Sequence, residues 1–204
     1  MSLTAGKAPA AFINLPYDDA FEKLFLAFIA GLSAFGLTPR ATLEIPGSER
    51  RLDRIIELIR ECEFSFHDLS RIELDRRPPA TPRFNMPFEL GLAIGLSRTT
   101  DQCFVFEAKA HRLTKSLSDL NGTDPYIHNG KPEGVLRELS NALVRRDTTP
   151  TMQQLNLIYG DLLDAALRLK KDSGGPLFAA RPFRVLVLRA RRSAANRLGI
   201  TSRG

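Results

Sequence analysis

The sequence predicts an α/β domain: a parallel five-stranded sheet with helices on both faces, continued by a helical C-terminal extension. Three observations carry this. Short apolar runs alternate with stretches of helical periodicity through the first 145 residues. Alternation of this kind implies parallel strands joined by crossover helices. The length, 204 residues, fits one ordinary domain plus an extension, with the domain expected over 10–146 and the extension over 147–204.

The elements follow in order. Ala10 to Leu15 (AAFINL) is a buried first strand. Asp18 or Asp19 can cap the next helix, in which Phe21, Leu24, Phe25, Phe28, Ile29, Leu32 and Phe35 recur at helical spacing before Gly36 ends it. A second strand is expected from Pro39 to Ile45. Ser48 opens a helix with Leu52, Ile55, Ile56 and Ile59 on one face. Phe64 to Leu69 (FSFHDL) is the third strand, and a proline-rich charged loop spans Arg71 to Arg83. The third helix starts near Asn85, the fourth strand is Gln102 to Ala108, and the fifth is Tyr126 to His128 before a helix from Pro132 to Arg145. The expected strand order is flavodoxin-like, 2-1-3-4-5. In the extension, Leu155, Ile158, Leu162, Ala166 and Leu169 define an amphipathic helix over 148–171, which Ser173-Gly174-Gly175-Pro176 breaks. Phe183 to Leu188 (FRVLVL) reads as one more strand.

Composition excludes several classes. Hydrophobic residues at 43% and charged residues at 25% belong to a globular chain. The longest uncharged apolar stretch, Leu24 to Leu37, has 14 residues, too few to span a bilayer. Cys62 and Cys103 form neither a disulfide framework nor a metal-ligand spacing. A cytoplasmic protein with no membrane segment and no metal site is expected. The net charge of +6 is uneven: residues 181–204 hold seven arginines and no acid, so the first 180 residues sum to −1. Such a tail can attract nucleic acid or another anionic partner, but a solvated arginine-rich terminus is the favoured reading, since no aromatic residues are interleaved for base stacking.

In an open parallel sheet, ligands bind beyond the carboxyl ends of the strands. Polar residues concentrate at that edge: Asn14, Tyr17 and Asp18 after the first strand, Asp68, Ser70 and Arg71 after the third, and Arg83, Phe84, Asn85 and Glu89 where the third helix begins. Asn85 is a suitable N-cap, and Pro87 is tolerated in a first turn. Asn85 and Glu89, four apart, share one helical face, with Phe88, Leu92 and Leu96 as an apolar stripe beside it. Glu89 is either an acid favoured by the helix dipole or a functional carboxylate. No Gly-rich phosphate loop is present, which argues against a dinucleotide or P-loop fold.

Three segments carry a resemblance: Phe12-Ile13-Asn14-Leu15-Pro16-Tyr17-Asp18, His67-Asp68-Leu69-Ser70-Arg71, and Phe88-Glu89-Leu90-Gly91-Leu92-Ala93. Over about residues 10–145 the chain resembles the superfamily of nucleoside 2-deoxyribosyltransferases and Toll/interleukin-receptor (TIR) domains. The resemblance implies cleavage or transfer at an N-glycosidic bond of a nucleotide or nucleoside, with Glu89 as the central carboxylate. It implies no cofactor, with NAD among the substrates, and assembly as a homo-oligomer. Asp68 would serve the base or sugar hydroxyls, and Asn85 would orient the carboxylate. Tyr17 and Phe84 would wall the base, and Arg71 and Arg83 would hold a phosphate, with Asn14 and Ser70 completing the binding set. The chain lacks tryptophan, so the Trp-Cys setting of the TIR glutamate is missing, and residues 150–204 match neither family.

Two other readings share the topology. One is a non-catalytic module that senses a nucleotide or assembles with partners. The other is a signal receiver, whose acid pocket and lysine Asp18, Asp19, Asp68 and Lys131 match superficially. Of the histidines, His67 is expected in the core or beside the site, and His111 and His128 on the surface.

Overall fold

The structure is a computed structural model that describes residues 8–45, 50–71, 74–75, 81–96, 102–112, 117, 124–147 and 149–199. In chain order it runs β1 (Ala10–Asn14), α1 (Glu22–Ala34), β2 (Thr38–Ala41), α2 (Arg51–Arg60), β3 (Phe64–Asp68), β4 (Leu74–Asp75), β5 (Thr81–Pro82), α3 (Asn85–Leu96), β6 (Cys103–Glu107), β7 (Tyr126–Ile127), α4 (Pro132–Ala142), α5 (Met152–Ser173) and α6 (Ala180–Leu198). Five strands form one parallel sheet in the order β2-β1-β3-β6-β7. This is the expected flavodoxin-like α/β arrangement.

Strand alternation divides the side chains between two faces. Ala11, Ile13, Phe66 and Phe106 point into the larger core with α1, α4, α5 and α6. Phe12 meets Ile55, Leu58 and Ile59 of α2 and Ala93 of α3 on the other face, where Leu69, Leu90 and Val105 also cluster. Among the described residues, no helix is long and apolar enough to cross a membrane.

α1 organises the larger core. Every residue from Leu24 to Ala34 is buried. A helix that is apolar all round must be covered all round. The sheet covers one side of α1, and α4, α5 and α6 cover the rest. Phe25 of α1 meets Phe178 and Phe183 at ring-centroid distances of 5.2 and 6.1 Å. The extension is therefore the outer wall of this core.

Four expectations change. The run from Phe183 to Leu188 is helical: Phe183, Leu186, Val187, Ala190 and Ala194 of α6 are buried at helical spacing against the core. β2 is shorter than expected because the chain turns at Thr42–Glu44 into a 3-10 segment. There Glu44 accepts hydrogen bonds from the Ala41 amide at 2.9 Å and from Arg40 Nε at 3.0 Å. Leu52 is exposed and Leu58 takes its place in the core. The loop from Arg71 to Arg83 includes the antiparallel ladder of β4 and β5. Ser48 lies outside the described residues.

The ends of α5 are built from sequence-local signals. Thr151 Oγ1 accepts from the Gln154 amide while Gln154 Oε1 accepts from the Thr151 amide, a reciprocal cap. Gly174 closes the helix with φ of 60°, a conformation that strains other residues.

Phe183→Ala removes a side chain that is 1% exposed from the contact between α6 and α1. It should cost about 3–5 kcal/mol, read as a lowered urea midpoint with an unchanged slope.

Candidate active site

Strand order reverses between β1 and β3, because the chain leaves β1 for β2 on one side and continues to β3 on the other. That reversal is where open sheets bind ligands. Asn14, the last residue of β1, and His67, the penultimate residue of β3, are register partners. Asn14 Nδ2 donates to His67 Nδ1 at 3.0 Å and to the Met86 carbonyl at 2.9 Å. Because Nδ1 accepts, the ring proton of His67 sits on Nε2. Burial lowers the His67 pKa to about 3, so the ring is neutral at physiological pH. Asn14 Oδ1 and His67 Nε2 are both buried without a hydrogen-bond partner among the described residues.

Met86 belongs to the first turn of α3, so the Asn14 bond ties that turn to the end of β1. Pro87 sits where its missing N–H is no loss. The Phe88 amide donates to the Phe84 carbonyl at 3.0 Å. Asn85 is therefore the first residue inside the helix and not its cap, and its side chain is exposed.

The rotation of α3 differs from the expected one. Glu89, Leu90 and Ala93 are buried, whereas Phe84 is 64% and Phe88 53% exposed. A helix packed for stability alone would turn its phenylalanine inward and its glutamate outward. Glu89 is 6% exposed, and among the described residues no hydrogen bond or ion pair engages its carboxyl. Burial raises its pKa to about 7, against a smaller opposing pull from Arg51 of α2.

Tyr17 lies within reach of the charge of Glu89. Its hydroxyl lies 3.2 Å from Thr42 Oγ1, and its ring packs on Phe25 and Phe178. Burial holds the phenol well above its usual pKa. The Thr42 hydrogen bond offsets part of that rise, and the negative charge of Glu89 adds to it. Arg71 and Arg83 converge on Asp18. Arg83 Nη1 donates to Asp18 Oδ2 at 3.0 Å, and Arg71 Nε lies 3.4 Å from the same oxygen. Asp18 Oδ1 accepts from the Phe21 amide at 3.1 Å, at the entry to α1. The two guanidiniums are thus held by a carboxylate, with one positive charge in excess.

Asp68 does not join Glu89. It is fully buried and, two residues on from Phe66, points to the α1 and α4 face. Its Oδ2 accepts from His128 Nε2 at 2.9 Å and its Oδ1 from the Ser70 amide at 2.8 Å. His128, expected on the surface, is fully buried. Its Nδ1 accepts from the Gly130 amide at 3.1 Å, which leaves the proton on Nε2. Ser70 Oγ lies 3.1 Å from that same Nε2. A catalytic triad needs serine and acid on opposite ring nitrogens, so Asp68, His128 and Ser70 instead clamp β3 to the end of β7. Gly134 belongs to this clamp, because a Cβ there would stand 2.1 Å from the His128 carbonyl oxygen. Glu107 and Arg112 form a second clamp: Arg112 Nη2 donates to Glu107 Oε1 at 2.8 Å and to the Leu69 carbonyl at 2.7 Å. With Asp68 engaged in this way, the receiver reading loses its phosphoacceptor.

Among the described residues, no group of three His, Cys, Asp or Glu side chains could hold a metal ion. A cavity of about 520 Å³ between α5 and α6 shares no residue with the Glu89 region. Sequence reasoning missed Thr42 and His128. His128 alone had a local signal, its place at the end of a strand on the ligand-binding edge. Comparison of the chain with protein-family models, curated proteins and solved structures finds no match.

Glu89 binds its proton more tightly in the folded chain than in the unfolded one, with a pKa of about 7 against an ordinary 4.5. Its ionisation therefore costs stability, which should fall as pH rises from about 5 to 8, on the order of 2–3 kcal/mol. Glu89→Gln should match the wild type at pH 5 and exceed it at pH 8, by chemical denaturation. Parallel curves for the two proteins at both pH values would contradict a buried, unpaired Glu89.

Proposed function

We propose that this protein cleaves, or transfers across, an N-glycosidic bond of a nucleotide or nucleoside, with the carboxylate of Glu89 at the reacting carbon. One observation carries the reading: Glu89, 6% exposed and without a hydrogen-bond or ion-pair partner among the described residues, turns inward while Phe84, just before α3, and Phe88 turn outward. Folding has no use for such a group, since an unpaired buried charge is costly. Strong perturbation in a cleft marks functional carboxylates.

The chemistry follows from the arrangement. As the bond between C1′ and the base nitrogen breaks, its electron pair leaves with the base and positive charge develops on C1′ and the ring oxygen. Glu89, weakly solvated, stabilises that charge or bonds to C1′ as in retaining glycosidases. Water or a second base then displaces the carboxylate. A purine or pyrimidine takes up a proton on leaving, whereas nicotinamide leaves a pyridinium and needs none. Tyr17, hydrogen-bonded to Thr42, feels the charge of the carboxylate. Asn14 sets the first turn of α3 and so the position of Glu89. A phosphate would have to draw Arg71 and Arg83 from Asp18. The resemblance to TIR domains and deoxyribosyltransferases supports the same reaction type.

The test is incubation of the protein with NAD and a panel of nucleosides and nucleotides, with chromatography for the freed base. The wild type should release base and Glu89→Gln should not, while remaining folded. kcat/KM should rise with pH up to about 7–8, because the nucleophile must lose its proton. Absence of base release from folded wild type at high concentration would discard the enzymatic reading in favour of a nucleotide-binding module.

A further inference from the structure

Six of the seven arginines near the end of the chain lie on a helix. Residues Ala180–Leu198 form α6, which contains Arg181, Arg184, Arg189, Arg191, Arg192 and Arg197 and no acid. Its apolar residues, Phe183, Leu186, Val187, Ala190 and Ala194, are buried in the core. At 3.6 residues per turn, Arg181, Arg184, Arg189, Arg191 and Arg192 fall within an arc of about 160° opposite that apolar stripe. All five are exposed. Arg197 lies outside the arc and differs from them: its Nε and Nη2 each donate to Asp161 of α5 at 2.7 Å. Among the described residues no carboxylate is within ion-pair distance of the other five. Asp161, Asp164 and Asp172 line the groove between α5 and α6 next to Arg189 and Arg192, so Arg181, Arg184 and Arg191 are the arginines turned away from these acids.

This arrangement works against the helix that bears it. Arg181 and Arg184 repel one another at i,i+3, as do Arg189 and Arg192. Arg181 and Arg184 also occupy the N-terminal turns, where the helix dipole disfavours cations. A face required only for solubility would mix the two signs and use acids in the first turn. The core anchors the opposite side, so the row of cations is held on a rigid rod.

We infer that the outward face of α6 docks on the phosphate backbone of a nucleic acid. The charge is complementary, and the rod presents guanidiniums over about 16 Å from Arg181 to Arg192, a length over which duplex DNA carries about ten charges. Guanidinium matches phosphate oxygens in pairs. The face contains no aromatic residue, so it contacts backbone and reads no bases. An anionic membrane is the poorer fit: an interfacial helix inserts an apolar face, and that of α6 is already committed to the core, leaving Leu188 as its exposed large apolar side chain. This inference is independent of Glu89.

The experiment measures fluorescence anisotropy of a labelled random-sequence duplex with the full chain between 50 and 200 mM salt. The control variant is Arg145→Gln, at an exposed arginine after α4. If all five arginines engage, log K should fall against log[salt] with a slope of about −4 to −5. The variant Arg181→Gln/Arg184→Gln/Arg191→Gln should bind more weakly with a slope of about −2, each lost phosphate contact removing about 0.9. Its thermal midpoint should equal or exceed that of the wild type, since it relieves the repulsion between Arg181 and Arg184, and Arg145→Gln should bind as the wild type does. No binding at 50 mM salt, or equal binding by the triple variant, would overturn the inference. So would equal competition by polyglutamate at matched charge, or binding to phosphatidylserine vesicles in place of the duplex.

Discussion

The fold depends on the burial of α1. Its eleven residues from Leu24 to Ala34 are all out of water, and a helix with no polar side cannot rest on one face of a sheet as an ordinary crossover helix does. Phe25, Leu26, Phe28, Ile29 and Leu32 each gain roughly 1.5–3 kcal/mol from burial, but only if something covers the side away from the sheet. α5 and α6 provide that cover. The requirement extends to the other end of the chain: α6 must be amphipathic, with its apolar stripe on α1, and its polar side is then free to be as basic as it is. Gly31 shows how closely the layers meet, since a Cβ there would stand 2.5 Å from Leu139 Cδ1 of α4.

The opposite face of the sheet is thinner, covered by α2 and α3, and it carries the candidate site. Here polar groups take places that hydrophobic packing would otherwise claim. Asn14 is the last residue of β1 and His67 the penultimate residue of β3, at the point of reversal, and their hydrogen bond leaves Asn14 one further donor hydrogen for the Met86 carbonyl. That contact sets how the first turn of α3 sits over the sheet. Glu89 follows one turn later, and its burial is thus a consequence of where β1 and β3 end. A small, rigid polar link positions a carboxylate that makes no hydrogen bond of its own.

The elements with strong local patterns were legible in the sequence: β1, α1, β3, the start of α3, β6, and the C-terminal stop of α5. The rotation of α3 was not. Phe88, Leu90, Leu92, Ala93, Ile94 and Leu96 surround the helix with apolar residues, so periodicity alone gives no unique buried face. The helical state of Phe183 to Leu188 was hidden for a related reason. Six residues of the form FRVLVL satisfy a strand pattern, and only the uncovered side of α1, some 150 residues earlier, requires a helix there. β7 has two residues, too few for alternation to show that His128 turns inward. Asp18 meets Arg71 and Arg83 across 53 and 65 residues of chain, a contact that no local rule contains. Glu89 itself was found because helix position and residue type, both local, were enough to single it out.

The carboxylates at the ligand-binding edge separate scaffold from site. Asp68 receives an imidazole N–H and a backbone amide, Glu107 receives a guanidinium and a backbone amide, and Asp18 receives two guanidiniums and a backbone amide. Each is satisfied by groups that also join strand ends or loop entries, so each acts as a fastener. Glu89 is buried nearly as deeply as Asp68 and Glu107 and has none of these partners. Buried charge with complete pairing is what a fold uses to fix its own geometry. Buried carboxyls without pairing are enriched at functional sites. Among the described residues, Glu89 differs from Asp18, Asp68 and Glu107 in having no hydrogen-bond or ion-pair partner.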